Sequence, residues 1–232
     1  MVTAALRPTA QALREHLRLY LVTDSALCLG RPLADVVAAA LHGGVSCVQL
    51  REKHLDTRAF IEQAMTLRAL LRPLGIPLVV NDRVDVALAC EADGVHLGQS
   101  DMPVHIARRL LPPHVFIGLS VETLAQVREA ATLDVDYLGV SPIHATPTKL
   151  DTATPWGLEG LRTAREATAL PLVAIGGIHP ESVCDVLTAG ADGIAVVSAI
   201  CSAPDVLEAT RRLSALRRAT PSSLTQRHHP AS

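Results

Sequence analysis

The sequence predicts an α/β protein built as a single (β/α)8 TIM barrel, on three observations. Eight short aliphatic or β-branched runs alternate with segments of helical period from Leu19 almost to the end of the chain. The runs are apolar on both faces, as strands covered on both sides require, and the connections have the length that parallel pairing demands. Polar residues or glycines follow nearly every run, as at the mouth of a barrel enzyme.

The first strand is expected at 19–23 (LYLVT), with a helix at 32–42 whose first turn holds Pro32, where a missing N–H costs nothing. The second, 45–50 (VSCVQL), leads to a helix at 57–72 opened by Asp56 as its cap. Strands at 77–80, 94–97 and 115–119 are followed by helices at 83–91, 103–111 (Pro103 in its first turn) and 121–132. Strands at 136–140, 172–175 and 193–197 are followed by helices at 157–168, 180–189 (Pro180 in its first turn) and 204–217. With a short N-terminal helix in front, residues 1–216 form the expected barrel domain. The remainder, 217–232, has no apolar period and is expected as a mobile tail with solvated His228 and His229.

PLVVND at 77–82 resembles PLVAIGG at 171–177, and Ala92–Val95 resembles Ala191–Ile194, at offsets of 94 and 99 residues. A half-barrel repeat accounts for the echo, and so does the commonness of such strand starts. A doubly wound open sheet is the alternative architecture.

Composition narrows the function. With 232 residues, 49% hydrophobic, 19% charged and a formal charge of −2, the chain fits neither collagen, nor intrinsic disorder, nor a disulfide-stapled miniprotein. The near-neutral balance argues against nucleic acid, whose binding needs many same-sign side chains to displace counterions. Cys28, Cys47, Cys90, Cys184 and Cys201 contain no C-x-x-C pair and suit a reducing cytoplasm. Arg7, Arg14 and Glu15 interrupt what would be the apolar core of an export signal, and no charge-free run is long enough for a membrane span. A homo-oligomer stays open.

The strand ends carry the chemistry. Gln49-Leu50-Arg51-Glu52-Lys53 follows or closes the second strand, Asn81-Asp82 the third, Gly98 to Asp101 the fourth and Ser120 the fifth. Thr146-Pro147-Thr148-Lys149 comes after the sixth, Gly176-Gly177 after the seventh and Ser198 after the eighth. Asp82 and Asp101, on neighbouring strand ends, can converge on one hard cation such as Mg2+, or Asp82 can cap the next helix. Gly176-Gly177, with the Ser198 hydroxyl, offers backbone N–H groups to a phosphate, or forms a plain tight turn. Arg51, Lys53 and Lys149 add positive charge around the same mouth. Asp93, Asp136 and Asp192 precede strands and are expected at the opposite rim as turn or stability residues. No nucleophile–base pair is apparent: Ser120 lacks a histidine signature, Cys47 points into a wall or core, and His96 and His144 read as structural or peripheral. No nucleotide-binding glycine loop is present.

In these residues the chain resembles the thiamine-phosphate synthase family. The resemblance runs from Leu19 to Ile200 through QLREK (49–53), VVND (79–82), HLGQSD (96–101), GLS (118–120), ATPTK (145–149), AIGGI (174–178) and VVSAI (196–200). It implies a (β/α)8 transferase that joins 4-amino-2-methyl-5-hydroxymethylpyrimidine diphosphate to thiazole phosphate, or to its carboxylate, giving thiamine phosphate and diphosphate. By the same resemblance Gln49, Leu50, Arg51, Glu52, Lys53, Asn81, Ser120 and Lys149 contact the pyrimidine diphosphate, and Asp82 and Asp101 hold Mg2+. Thr146, Pro147, Thr148, Gly177, Val197 and Ser198 take the thiazole phosphate. His144 stands where many relatives carry phenylalanine. A thiazole tautomerase on the same barrel and a non-catalytic phosphate-binding barrel are the alternatives. Intact QLREK, TPTK and the Asp pair favour the synthase, because an isomerase has no diphosphate to hold.

Overall fold

A computed structural model describes residues 6–145 and 154–220. Eight parallel strands, β1 (Leu19–Val22), β2 (Cys47–Leu50), β3 (Leu78–Asn81), β4 (Gly94–Leu97), β5 (Phe116–Val121), β6 (Tyr137–Val140), β7 (Leu172–Ile175) and β8 (Gly193–Val196), pair in sequence order. The barrel closes where Leu19, Tyr20 and Leu21 of β1 lie opposite Ile194, Ala195 and Val196 of β8. Closure removes the open-sheet alternative.

Ten α-helices are described: α1 (Ala10–His16), α2 (Leu33–Gly43), α3 (Thr57–Leu71), α4 (Val84–Ala89), α5 (Val104–Leu110), α6 (Leu124–Ala130), α7 (Gly157–Ala167), α8 (Val183–Thr188), α9 (Ser198–Cys201) and α10 (Val206–Ala219). Asp56 caps α3 by accepting the Ala59 N–H at 2.9 Å, as its position suggested. Pro32 and Pro103 are themselves the cap residues of α2 and α5, one place before the first turn. Pro180 opens a 3-10 turn, Pro180–Ser182, so the helix expected from 180 starts as α only at Val183. Arg217, Arg218 and Ala219 continue α10, which moves the expected tail boundary; residues 221–232, with both tail histidines, lie outside the described residues.

Two apolar layers follow from strand alternation. Residues such as Leu21, Val48, Leu50, Val80 and Leu138 face the helices in one continuous core. Tyr20, Val22, Cys47, Val79, Phe116, Tyr137, Val173 and Ala195 fill the barrel interior, and Leu13 and Leu17 from α1 and its end join them, stopping the N-terminal end. The interior admits the Tyr137 ring only because Gly118 stands beside it; a Cβ there would fall 2.1 Å from Tyr137 Cζ.

The N-terminal rim repeats one device four times. The residue before each even strand accepts an N–H from the start of the preceding odd strand, its first residue in three cases and its second in β5: Leu19 N to Ser46 Oγ at 2.9 Å, Leu78 N to Asp93 Oδ2 at 2.9 Å, Ile117 N to Asp136 Oδ2 at 2.7 Å and Leu172 N to Asp192 Oδ2 at 2.8 Å. Arg108 lies 2.7 Å from Asp136, while Arg14 and Arg165 lie 3.1 and 3.0 Å from Asp192. The three aspartates expected at this rim therefore hold strand register, leaving the other rim to the site.

Candidate active site

The C-terminal ends of the strands enclose a cavity of about 890 Å3. Strand alternation decides who reaches it. In the run from Gln49 to Lys53, the residues Gln49, Arg51 and Lys53 line the cavity. Leu50 is instead fully buried in the strand–helix core, and Glu52 turns to the Ser25 hydroxyl. Those two side chains do not join the cavity lining.

Arg51 is oriented by Asp24, whose Oδ2 lies 3.3 Å from its guanidinium, and its backbone N–H donates to Thr23 Oγ1 at 3.1 Å. Lys53 Nζ reaches Asp82 Oδ2 at 2.5 Å. Asp82 has φ 63°, a left-handed conformation that aspartate tolerates better than most side chains, and its N–H donates to the His96 carbonyl at 2.8 Å. It does not cap α4, which begins without a side-chain cap at Arg83. Asp101 Oδ2 accepts the Gly98 N–H at 2.6 Å, and a Cβ on Gly98 would crowd that oxygen at 2.9 Å. Burial, and then the adjoining Asp82, push the Asp101 carboxyl above the usual aspartate range.

A cation shared by Asp82 and Asp101 would relieve this like-charge crowding. No group of three or more metal-ligating side chains is present among the described residues. Mg2+ fits nevertheless, because it usually keeps several waters and takes one or two carboxylates with substrate phosphates.

Across the cavity, Gly176 (φ 98°) and Gly177 (φ 65°) leave β7 in left-handed conformations. Side chains there would strike the segment after β6: a Cβ on Gly177 would come 2.8 Å from His144 Cβ and 2.9 Å from the Ala145 carbonyl. Val197, which follows β8, and Ser198, the first residue of α9, line the same cavity. The glycine pair leads into the 3-10 turn at Pro180 rather than directly into a helix. Thr146, Pro147, Thr148 and Lys149 lie outside the described residues.

His96 and Ser120 depart from expectation. His96 Nε2 lies 2.8 Å from Ser120 Oγ, and Nδ1 lies 2.8 Å from the Tyr137 hydroxyl. Tyr137 is 3.0 Å from the Tyr20 hydroxyl, which accepts from Gln49 Nε2 at 2.9 Å. Five side chains thus form one polar chain across the interior. Its signal was parity: His96 pairs with Gly118, and Ser120, two residues on, shares the inward face. Burial pushes both phenols well above the usual tyrosine range, so they remain neutral. His144 packs near the His179 ring, with centroids 6.3 Å apart, and lines the cavity.

The fold and this mouth define a (β/α)8-barrel enzyme whose charged and polar groups converge from the strand ends on one cavity. A family model described as thiamine monophosphate synthase matches residues 19–200. Thiamine-phosphate synthases of Albidiferax ferrireducens and Chloroflexus aurantiacus are 69% and 55% identical over 202 and 199 residues, covering 87% and 86% of this chain and 92% of each relative. The solved thiamine phosphate pyrophosphorylase of Pyrococcus furiosus superposes with a TM-score of 0.83 at 42% identity, covering 89% of this chain and 98% of that one. The chain belongs to the thiamine monophosphate synthase family, transferases of thiamine biosynthesis.

Proposed function

We propose that the chain condenses 4-amino-2-methyl-5-hydroxymethylpyrimidine diphosphate with thiazole phosphate, or with its carboxylate, to give thiamine phosphate and diphosphate. The observation that carries this reading is the two-ended cavity. Arg51, Lys53, Asp82 and Asp101 stand at the β2 to β4 side, and the glycine turn and Ser198 at the β7 to β8 side. Two phosphorylated reactants need two such ends held apart.

The C–O bond to diphosphate breaks with its electron pair leaving on oxygen, helped by electron release from the aminopyrimidine ring. Arg51 and Lys53, joined by Lys149, stabilise the charge that develops on the departing group. The thiazole nitrogen then donates its lone pair to the methylene carbon, forming the C–N bond; the carboxylated thiazole also releases CO2. Asp82 and Asp101 would hold magnesium, which supplies charge neutralisation for the diphosphate when bound. Gly177, Val197 and Ser198, with Thr146, Pro147 and Thr148, orient the thiazole phosphate so that its nitrogen faces the pyrimidine methylene. Gln49, Asn81 and Ser120 position the pyrimidine diphosphate, and no covalent enzyme nucleophile is required.

The test mixes purified protein with both substrates, with and without Mg2+, and follows thiamine phosphate and diphosphate together. Metal-dependent, equimolar appearance of both is expected. Isomerisation of the carboxylated thiazole without coupling, or binding without product, would overturn the reading.

A further inference from the structure

We propose that Gln49, Tyr20, Tyr137 and His96 form a hydrogen-bonded chain of one fixed direction, which holds Ser120 as a donor aimed into the cavity at an acceptor atom of the bound substrate. Tyr20, Tyr137 and His96 are positioning residues in this scheme, and His96 is not a base that activates Ser120 as a nucleophile. The identity of the substrate rests on the function proposed above; the direction of the chain does not.

The direction follows from counting protons. Gln49 Nε2 donates to the Tyr20 oxygen at 2.9 Å, so the single Tyr20 proton goes to the Tyr137 oxygen at 3.0 Å in preference to the neighbouring Cys47 sulfur, a weak acceptor. Tyr137, now an acceptor from Tyr20, passes its own proton to His96 Nδ1 at 2.8 Å. A neutral imidazole that accepts at Nδ1 carries its proton on Nε2. That proton goes to Ser120 Oγ at 2.8 Å. The serine oxygen is thereby occupied as an acceptor, and its own proton is free to point toward the cavity that Ser120 lines.

The mouth selects the same direction from the other end. Arg51 and Lys53 line this cavity as cations, so its occupant on that side is anionic and rich in acceptors. A reversed chain would turn the serine proton inward and present lone pairs to that occupant. The setting keeps the chain in register: both tyrosines and Gln49 are buried, and Gly118 and Gly139 leave room for the Tyr137 and His96 rings. Gln99 Nε2 donates to the Ser120 carbonyl at 2.6 Å and fixes the serine backbone. Chains of this kind polarise along their length, so the terminal hydroxyl is a stronger donor than an isolated serine.

Long-range 1H–15N correlation on histidine-labelled wild-type protein at pH 8 reads the tautomer directly, with His96 assigned by its absence in His96→Gln. Protonated Nε2 and bare Nδ1 are expected; a proton on Nδ1 would overturn the proposal. Turnover supplies the second readout. Tyr137→Phe is expected to lower kcat about tenfold, the size of one hydrogen bond, with little change in either KM. In a Ser120→Ala background the same change should have no further effect on kcat. Additive losses would assign Tyr137 a merely structural role and reject the chain. Failure of the wild type to couple the substrates would remove the proposed function while leaving the tautomer to decide the direction.

Discussion

Lys53 Nζ stands 2.5 Å from Asp82 Oδ2, a contact that joins the end of β2 to the end of β3 through a residue whose backbone is left-handed. The carboxylate and the backbone conformation at Asp82 are separable. Asparagine keeps the tolerance for positive φ but loses the charge; alanine loses both. Asp82→Asn is expected to lower kcat by at least about 100-fold with an unchanged melting temperature. Asp82→Ala should match that loss and also melt roughly 2–4 °C lower, for about 1 kcal/mol of backbone strain. Metal-dependent kinetics and calorimetry on the two variants check the split.

Asp101 is expected to reduce stability in metal-free protein. Its carboxyl is raised above the ordinary value by burial first and Asp82 second, so the folded state binds the proton more tightly than the unfolded state does. Stability therefore falls as pH rises from the ordinary aspartate value through the raised one. Asp101→Asn keeps an acceptor for the Gly98 N–H and removes the charge. Its urea midpoint without metal should exceed that of the wild type at pH 7.5, and the gain should vanish near pH 3.5. Activity should be lost at every pH.

Gly177→Ala places a methyl group against His144 and Ala145 in a conformation alanine resists. The cost is about 2 kcal/mol or more, felt where the thiazole phosphate is proposed to bind. The KM for thiazole phosphate should rise while that for the pyrimidine diphosphate holds. Steady-state kinetics with each substrate varied in turn separates the two.

Asp192→Ala tests the far rim. The Asp192 side chain is 3% exposed and its partner Arg165 7%, so the substitution takes the carboxylate from a buried guanidinium, which keeps its bonds to the Thr168 and Leu170 carbonyls, and leaves the Leu172 N–H without its acceptor. Unfolding free energy should fall by about 3–5 kcal/mol, with kcat retained in the cold where the variant stays folded. Urea titration beside a low-temperature assay gives both numbers.

The strands were legible because each is apolar on both faces, and the mouth because polar residues gather where those runs stop. The resemblance assigns all of QLREK to the site, whereas strand alternation brings only Gln49, Arg51 and Lys53 to the cavity and leaves out Leu50 and Glu52. What escaped was pairing across strands. His96, Ser120, Tyr20 and Tyr137 belong to four different strands, β4, β5, β1 and β6, and nothing in the local sequence marks Tyr20 or Tyr137 as a polar partner. Their association depends on the barrel's register and on the space that Gly118 leaves, which no local pattern states. The helix starts at Pro32 and Pro103 were misplaced by one residue because proline's fixed φ suits the cap as well as the first turn.

The four bonds from Leu19, Leu78, Ile117 and Leu172 to the residues before the next strands divide the barrel into four stapled strand pairs. Each pair is thus aligned at the end remote from the cavity, before the chain reaches the mouth. The loops there are interchangeable parts on a fixed chassis. A barrel fastened this way can be given a different reaction by replacing a mouth loop, with every strand still meeting its neighbour at the same residue.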